Sequence, residues 1–399
     1  MVTKTYNEEM FDALIRHQIG LLRLSGSIRN ELWVILDQTE KDLIARIKKG
    51  RKHGFDSPAQ VKRAESLVKA LKATRAKAWE EITPIWVARA QELAASEPEH
   101  VQRIVKAAYP VELGTILPAV PLLKAVVDSR PFEGKVLRHW ANNAKRADLE
   151  RIEQSVRIGI VAGDSNQAIA RRTFGTLNQG GRDGVTQMTR NQVAAVTRTM
   201  VNHVGTRARA EFYKANPDVF KEEQYTATLD SRTTPICRGY DGSIWKVNDG
   251  PHPPIHYMCR SVRVPFIDGK VIGDRPIRNF TEKDILRDFS KEQGIKAPLK
   301  RADLPHGMKG KYDTFARGEM RRRTGTVPAS TDYQSFLERQ TKGVQDDILG
   351  PTRGKLFRKG GLDVKKFTDF KAENEFTLSE LASMHPGAFR KAGLDPKAF

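Results

Sequence analysis

Residues 225–267 decide how this chain is interpreted, and they read YTATLDSRTTPICRGYDGSIWKVNDGPHPPIHYMCRSVRVPFI. Three short runs in this stretch alternate in polarity or are rich in β-branched and aromatic residues: Tyr225–Leu229, Ser243–Val247 and Ser261–Ile267. Asp241-Gly242 is a turn signal that directly precedes the second run. The pattern therefore predicts a small three-strand β-hairpin module.

Both cysteines of the chain and two of its nine histidines lie in this stretch. Cys237 is followed by fourteen residues, His252, three residues, His256, two residues and Cys259. Tetrahedral Zn²⁺ in a structural site takes four nitrogen or sulfur ligands. A module this small buries little apolar area, so a bound metal would supply stability that its core lacks. The spacing predicts a structural zinc held by these four residues.

The same residues allow two other interpretations. The cysteines are then reduced and partly buried, and the histidines are ordinary loop residues beside prolines. A disulfide between Cys237 and Cys259 is the third interpretation, and a reducing cytosol disfavours it.

The segment LDSRTTPICRGYDGSIW, followed by PPIHYMCRS, resembles the signature of the phage Mu F-like head morphogenesis proteins. These are minor head proteins of tailed double-stranded DNA phages. Their pattern runs Leu-Asp-x-Arg-Thr-Cys-x-x-Cys, then Asp-Gly, then Pro-Pro-x-His-x-x-Cys-Arg-Cys. The matching positions of this chain are Asp230, Arg232, Thr233, Cys237, Asp241, Gly242, Pro253, Pro254, His256, Cys259 and Arg260.

The chain departs from the family pattern at two positions of this signature. Thr234 and Ser261 stand where the pattern usually has cysteine, so a fourth metal ligand must come from His252 or Asp230. The resemblance covers about residues 130–267 and implies a helix-turn-helix-like segment and a long helix before the module. On that helix Met200 stands where the family is expected to prefer glutamate.

The charge of the chain indicates a polyanionic partner. Lysine and arginine number 68 against 48 aspartate and glutamate, which gives a formal net charge of +20. Such an excess predicts contact with nucleic acid, which the resemblance implies is double-stranded DNA. The candidate DNA-binding residues occupy two basic runs: Lys48, Lys49, Arg51, Lys52, Arg321, Arg322 and Arg323.

Apolar periodicity predicts helices over most of the remaining chain. One helix contains Ile28–Ile47, a second begins at Ser57-Pro58 with serine as its cap, and a third begins at Thr83-Pro84. Residues 110–131 contain Pro118 and Pro121 and are predicted to be a loop-like linker.

Further helices are predicted downstream of this linker. Asp164 is predicted to cap a helix that ends at Gly175, and one long helix should contain Thr189–Lys214. After the β module, Thr281–Phe289, Asp332–Leu349 and Thr377–Met384 are predicted helices.

These elements predict a mainly α fold with a small β module, extended and multi-helical, that ends in a C-terminal arm. The alternative for the last part is a small helical domain. The predicted divisions are an N-terminal helical domain at 1–109, a linker at 110–131, the helical part of the Mu F-like domain at 132–223, the Cys/His module at 224–267 and a basic C-terminal helical arm at 268–399.

The sequence favours an assembly protein over an enzyme. It contains no Walker loop, nucleophile elbow, His-Glu-x-x-His or dinucleotide-binding glycine motif. The resemblance implies a minor head protein inside the capsid near the portal, made in the host bacterial cytoplasm, with portal protein, major capsid protein and packaged DNA as partners. The alternatives are a DNA-binding assembly or packaging factor that leaves the finished virion and, less favoured, a metal-dependent nuclease. No apolar run approaches the ~20 residues of a membrane span, so no membrane partner is expected.

Overall fold

The computed structural model describes residues 6–49, 57–109, 113–132, 134–179, 181–266, 273–298 and 300–399. Most of these residues are helical, and the strands belong to small antiparallel sheets. The predicted fold class, mainly α with a small β module, is therefore confirmed. Among the described residues, we find no helix with the length and apolar character that crossing a membrane requires.

The N-terminal part is a pair of long helices, α1 (Tyr6–Lys49) and α2 (Pro58–Ala108). They run antiparallel, because Leu14 near the start of α1 and Val105 near the end of α2 lie in one buried cluster. At the opposite end of the pair, Leu43 of α1 packs in a second cluster that includes the first turns of α2.

Helix α2 continues through the point at which the sequence predicted a new helix. The Ser57 side chain accepts a hydrogen bond from the first turn, so the predicted cap is confirmed. Pro84, however, lies inside the helix. An interior proline removes one backbone hydrogen bond and costs about 3 kcal/mol. Trp79 and Trp86 flank it and are fully buried against the neighbouring helices, and this packing offsets the cost.

The predicted linker contains a helix, α3 (Val120–Ser129). The prediction of a loop across 110–131 is wrong over these residues, because Pro121 occupies the first turn, where proline is tolerated. The α3 helix packs against α2 and against the long helix at Gln187–Ala215. Its buried residues are Leu123, Val126 and Val127.

Three helices complete this core: α4 (Leu137–Val161), α5 (Asn166–Phe174) and α6 (Gln187–Ala215). The predicted long helix is α6, and Val193 and Val204 on it share the largest buried cluster with residues of α1 to α4. The domain boundaries remain a prediction.

The cap of α5 differs from the predicted one. Ser165 is the N-cap, and its hydroxyl accepts a hydrogen bond from the Ala168 N–H at 3.2 Å. The Asp164 carboxylate instead pairs with Arg172 at 2.6 Å. The predicted end of the helix at Gly175 is confirmed, and this glycine has a positive φ of 80°.

The β module is a three-stranded antiparallel sheet with strand order β2-β1-β3. Its strands are β1 (Glu222–Thr226), β2 (Ile244–Lys246) and β3 (Val262–Phe266). A short helix that was not predicted, α7 (Pro235–Tyr240), lies between β1 and β2. Its signal was present as Thr234-Pro235, the same threonine or serine and proline pair that begins a helix elsewhere in this chain.

The C-terminal part contains the remaining elements. The strands are β4 (Asp274–Arg278), β5 (Thr324–Pro328), β6 (Thr368–Asp369) and β7 (Asn374–Glu375). The helices are α8 (Glu282–Glu292), α9 (Lys309–Arg322), α10 (Tyr333–Glu338), α11 (Lys342–Leu349), α12 (Pro351–Lys355), α13 (Leu378–Met384) and α14 (Pro386–Lys391), and a π-helical turn (Leu356–Gly360) follows α12.

The C-terminal part is packed, which corrects the expectation of an extended arm. Tyr333, Leu356 and Phe389 are fully buried in one cluster, and Leu229 of the β module belongs to the same cluster. The predicted helix over Asp332–Leu349 is two helices, because Thr341 caps a new one. The predicted caps Thr281 and Thr377 are confirmed.

Candidate metal centre and basic residues

Three of the four predicted metal ligands lie together in the β module. Their ligand atoms, Cys237 Sγ, His256 Nε2 and Cys259 Sγ, all lie within 4.8 Å of one another. Cys237 Sγ is 3.1 Å from His256 Nε2 and 3.8 Å from Cys259 Sγ. Both cysteines are free, and both are fully buried.

Two elements hold these ligands in position. Cys237 lies on α7, whereas His256 and Cys259 lie in the connection between β2 and β3. Helix α6 fixes that connection, because the Asn202 side-chain amide donates to the Cys259 carbonyl at 3.0 Å. The backbone N–H of Met258 donates to the Thr199 hydroxyl of the same helix at 3.0 Å.

The orientation of His256 suits a metal ligand. Its Nδ1 is 2.8 Å from the Tyr257 carbonyl oxygen, so a proton on Nδ1 donates to that oxygen and Nε2 is the basic nitrogen. A second hydrogen bond of this kind is the usual way in which proteins orient a metal-binding histidine. Nε2 faces Cys237 Sγ and also the Thr234 hydroxyl, which is 2.9 Å away.

The separation of the two sulfur atoms also suits zinc. Two Zn–S bonds of about 2.3 Å at a tetrahedral angle place the sulfur atoms about 3.8 Å apart, as they are here. A disulfide requires about 2.05 Å.

The thiols interact strongly with each other. A hydrogen bond from Cys237 is the largest cause that lowers the pKa of Cys259, to about 6, and the same bond raises the pKa of Cys237. Burial acts to lower the pKa of His256, but the hydrogen bond and charge of Cys237 outweigh it and the net shift is upward. The centre therefore favours one thiolate, which is the form that binds metal.

The structure does not bring His252 into this group. Its Nε2 accepts a hydrogen bond from Arg263 at 3.1 Å, and burial is the main cause that lowers its pKa to about 4. Asp230, the other residue considered as a fourth ligand, is bonded through both carboxylate oxygens to Arg260, at 2.5 and 2.8 Å. Hydroxyl groups contact the cluster: Thr234 Oγ1 lies 2.9 Å from His256 Nε2, and the Tyr225 hydroxyl lies 3.2 Å from Cys237 Sγ.

Other residues that match the family signature shape the loops of the β module. The Asp230 carboxylate accepts from the Arg232 backbone N–H at 3.0 Å and from the Thr233 hydroxyl at 3.3 Å. Gly242 has a positive φ of 78°, which glycine adopts without strain. The Pro253–Pro254 peptide bond is cis.

Asp241 anchors the module to the C-terminal part. It is fully buried, and its two carboxylate oxygens accept hydrogen bonds from Arg275 of β4 at 2.9 and 3.1 Å. The same carboxylate accepts from the Ala227 N–H at 2.7 Å. Sequence reasoning missed Arg275, because nothing in the sequence indicates that β4 lies beside this turn.

The predicted DNA-binding residues are not equivalent in their surroundings. Lys48 and Lys49 are exposed at the end of α1, whereas Arg51 and Lys52 lie outside the described residues. Arg321 is exposed.

Two of the three arginines at the end of α9 have carboxylate partners. Arg322 pairs with Glu319 at 2.6 Å. Arg323 pairs with Asp284 at 2.5 Å and also contacts Asp288 and Glu319. These partners neutralise much of the charge that made the run a DNA-binding candidate.

One family of known proteins matches the region that contains the candidate metal centre. Residues 150–264 match the family model described as Phage Mu protein F like protein. The match runs from the middle of α4 through α5, α6 and the β module, and it includes the three clustered metal-ligand candidates. Over these residues the chain is similar to the phage Mu F-like family, the family that its sequence signature resembles. No curated protein and no solved structure matches the chain.

Proposed function

We propose that this chain is a non-enzymatic minor head protein of the capsid interior near the portal vertex. It acts in head morphogenesis by contacting portal or capsid protein and the packaged DNA. The observation that carries the proposal is the family match over residues 150–264, which covers the Cys/His centre and the helix that supports it.

The charge supplies the DNA part of this proposal. A formal net charge of +20 gives the protein a positive electrostatic potential, and this potential attracts the phosphate backbone of DNA. Each neutralised phosphate releases counterions, so the affinity for DNA falls steeply as salt rises. We assign the contact with portal or capsid protein to the β module and to the long helices that pack on it.

The proposal includes a structural zinc held by Cys237, His256 and Cys259. The sulfur separation and the orientation of His256 support it. Zinc would cross-link α7 to the connection before β3 and so stabilise a small sheet. The fourth position falls to the Thr234 hydroxyl or to solvent, because Thr234 Oγ1 is 2.9 Å from His256 Nε2.

Counting this chain in purified virions and in DNA-emptied ghosts by quantitative mass spectrometry tests the location. We expect a few copies per portal ring, with equal numbers in both particles. Presence in full particles and loss from ghosts identifies a protein ejected with the DNA. Absence from both particles supports an assembly or packaging factor that leaves before maturation.

One observation keeps a metal-dependent nuclease as the second candidate. Because His252 is bonded to Arg263, the structure brings together three protein ligands rather than four. Three protein ligands with one open position are also the pattern of catalytic zinc. Plasmid nicking with added zinc, magnesium or manganese, lost in His256→Ala but kept in His252→Ala, would overturn the non-enzymatic assignment.

A further inference from the structure

A cleft with an excess of arginine lies between the N-terminal helices, the β module and the C-terminal part. Its volume is about 440 Å³, and α1, the Asp230 loop and β4 contribute to its wall. The charged residues that line it are four arginines and one carboxylate: Arg23, Arg260, Arg275, Arg278 and Asp230. The wall of the cleft therefore carries a formal charge of 4 − 1 = +3.

Two of these arginines are already engaged. Arg275 is buried and bonded to Asp241, and Arg260 is bonded to Asp230. Arg23 and Arg278 are exposed, and within the described residues neither side chain has an ion-pair or hydrogen-bond partner. Both guanidinium groups therefore retain their donors for a ligand.

A further arginine, Arg198 on α6, lies outside the cleft close enough to Arg260 to feel its charge. The Nε atom of Arg198 on α6 is buried and has no hydrogen-bond partner among the described residues. Burial is the largest cause that lowers the pKa of Arg198, followed by the charges of Arg260, Arg232 and Arg29. Arginine is the residue that matches phosphate oxygens with a fixed fork of donors. A site with several such forks and one carboxylate favours a ligand with repeated negative charges.

We propose that this arginine cleft, in which Arg23 and Arg278 carry the free donors, binds the phosphodiester backbone of duplex DNA together with Arg198 beside it. The inference rests on the proposed function, and it places the DNA contact away from the Arg321–Arg323 run. That run lies beside Glu319, Asp284 and Asp288, whereas the cleft has one acidic residue in its wall.

The test measures binding of the full chain to a fluorescently labelled 30-base-pair duplex by anisotropy over a series of salt concentrations. The test variant is Arg23→Gln/Arg278→Gln, and the matched control is Arg321→Gln/Arg322→Gln. Both double variants remove two positive charges from exposed side chains, so they change the net charge equally.

We expect the test variant to bind about tenfold or more weakly at low salt. Its slope of log K against log salt should fall by about 1.8, since each lost phosphate contact removes about 0.9. The control variant should keep the wild-type affinity and slope. An Arg198→Gln variant should weaken binding further in the background of the test variant.

Three results would overturn the inference, and they are distinguishable. Equal binding by the test and control variants leaves the proposed DNA contact in place but removes it from the cleft. Failure of the wild-type chain to bind DNA removes both proposals. Displacement of the duplex by millimolar inorganic phosphate, at constant ionic strength set with chloride, assigns the cleft to free phosphate instead of the polymer.

Discussion

Two hydroxyl residues set the chemistry of the candidate metal centre. Thr234 and Ser261 stand where the family pattern usually has cysteine, and both lie beside the three clustered ligands. Thr234 Oγ1 is 2.9 Å from His256 Nε2, and a hydrogen bond from Ser261 helps to lower the pKa of Cys259. A hydroxyl is a weaker zinc ligand than a thiolate, because zinc prefers sulfur and nitrogen.

At this scale we predict that Thr234→Cys increases the affinity for zinc by at least tenfold. The new thiolate would complete a Cys₃His site without the loss of a cap, since the Thr234 side chain makes no capping hydrogen bond to α7. Competition with a chromophoric zinc chelator measures the affinity of each protein.

The control for this prediction is Thr314→Cys, which places a thiol on the exposed surface of α9. It should bind zinc as the wild type does, at one ion per chain. Equal affinities of Thr234→Cys and wild type would contradict the geometry proposed for the centre. Zinc well below one ion per chain in the wild type would contradict the metal itself.

At the scale of elements, two prolines in the same helix have opposite effects. Pro58 begins α2 directly after the Ser57 cap, in the first turn, where the missing N–H has no intrahelical partner. Pro84 lies within the same helix and removes an interior hydrogen bond. Both prolines follow a serine or threonine, and this local pattern predicts a helix start at each of them. At Pro84 the helix continues, because Trp79 and Trp86 on either side of it are buried against the neighbouring helices.

We predict that Pro84→Ala raises the free energy of unfolding by about 2–3 kcal/mol. The recovered hydrogen bond and relieved clash contribute about 3 kcal/mol, and the more flexible unfolded chain offsets up to about 1 kcal/mol. Pro84 is exposed, so the smaller side chain leaves no cavity. Urea unfolding followed by circular dichroism measures the change.

Pro58→Ala is the matched control for Pro84→Ala, since it makes the same change at the first turn of the same helix. It should leave stability unchanged or lower it slightly. A decrease in stability in Pro84→Ala would show that the proline is required for the path of the helix.

At the scale of the whole molecule, the family-matched region depends on the segment that follows it. Leu229 of the Asp230 loop is buried in the C-terminal cluster, and the Tyr333 hydroxyl donates to the Asp230 carbonyl at 2.7 Å. Arg275 of β4 neutralises the buried Asp241. The turn that carries the Asp-Gly signature is thus stabilised from outside residues 150–264.

We predict that Arg275→Met lowers the free energy of unfolding by about 3–5 kcal/mol, because it leaves the Asp241 carboxylate buried without its partner. The matched control is Arg301→Met, which removes the partner of Asp313 in an exposed ion pair. This control should change stability little, because solvent screens an exposed ion pair.

Urea unfolding of the full chain compares the two variants, and tryptophan fluorescence together with circular dichroism reports whether the module and the helices unfold in one transition. Equal and small losses in both variants would contradict the role assigned to the Asp241–Arg275 pair.

Local signals in the sequence determined the features that depend on neighbouring residues. The caps at Ser57, Thr281 and Thr377, the long α6 and the turn at Gly242 follow from short-range hydrogen bonds and φ preferences. The family signature likewise contains Cys237, His256 and Cys259, and the structure brings these three residues together between α7 and the connection before β3.

Tertiary structure decided what depends on distant partners. Packing made α2 one helix, folded the C-terminal part around its own core and placed a helix inside the predicted linker. It paired His252 with Arg263 and Arg323 with Asp284, although spacing and charge alone had assigned them to zinc and to DNA. It also brought Arg23, Arg260 and Arg278 to one cleft. Burial energy and long-range ion pairs are sums over the folded chain, and no local pattern encodes them.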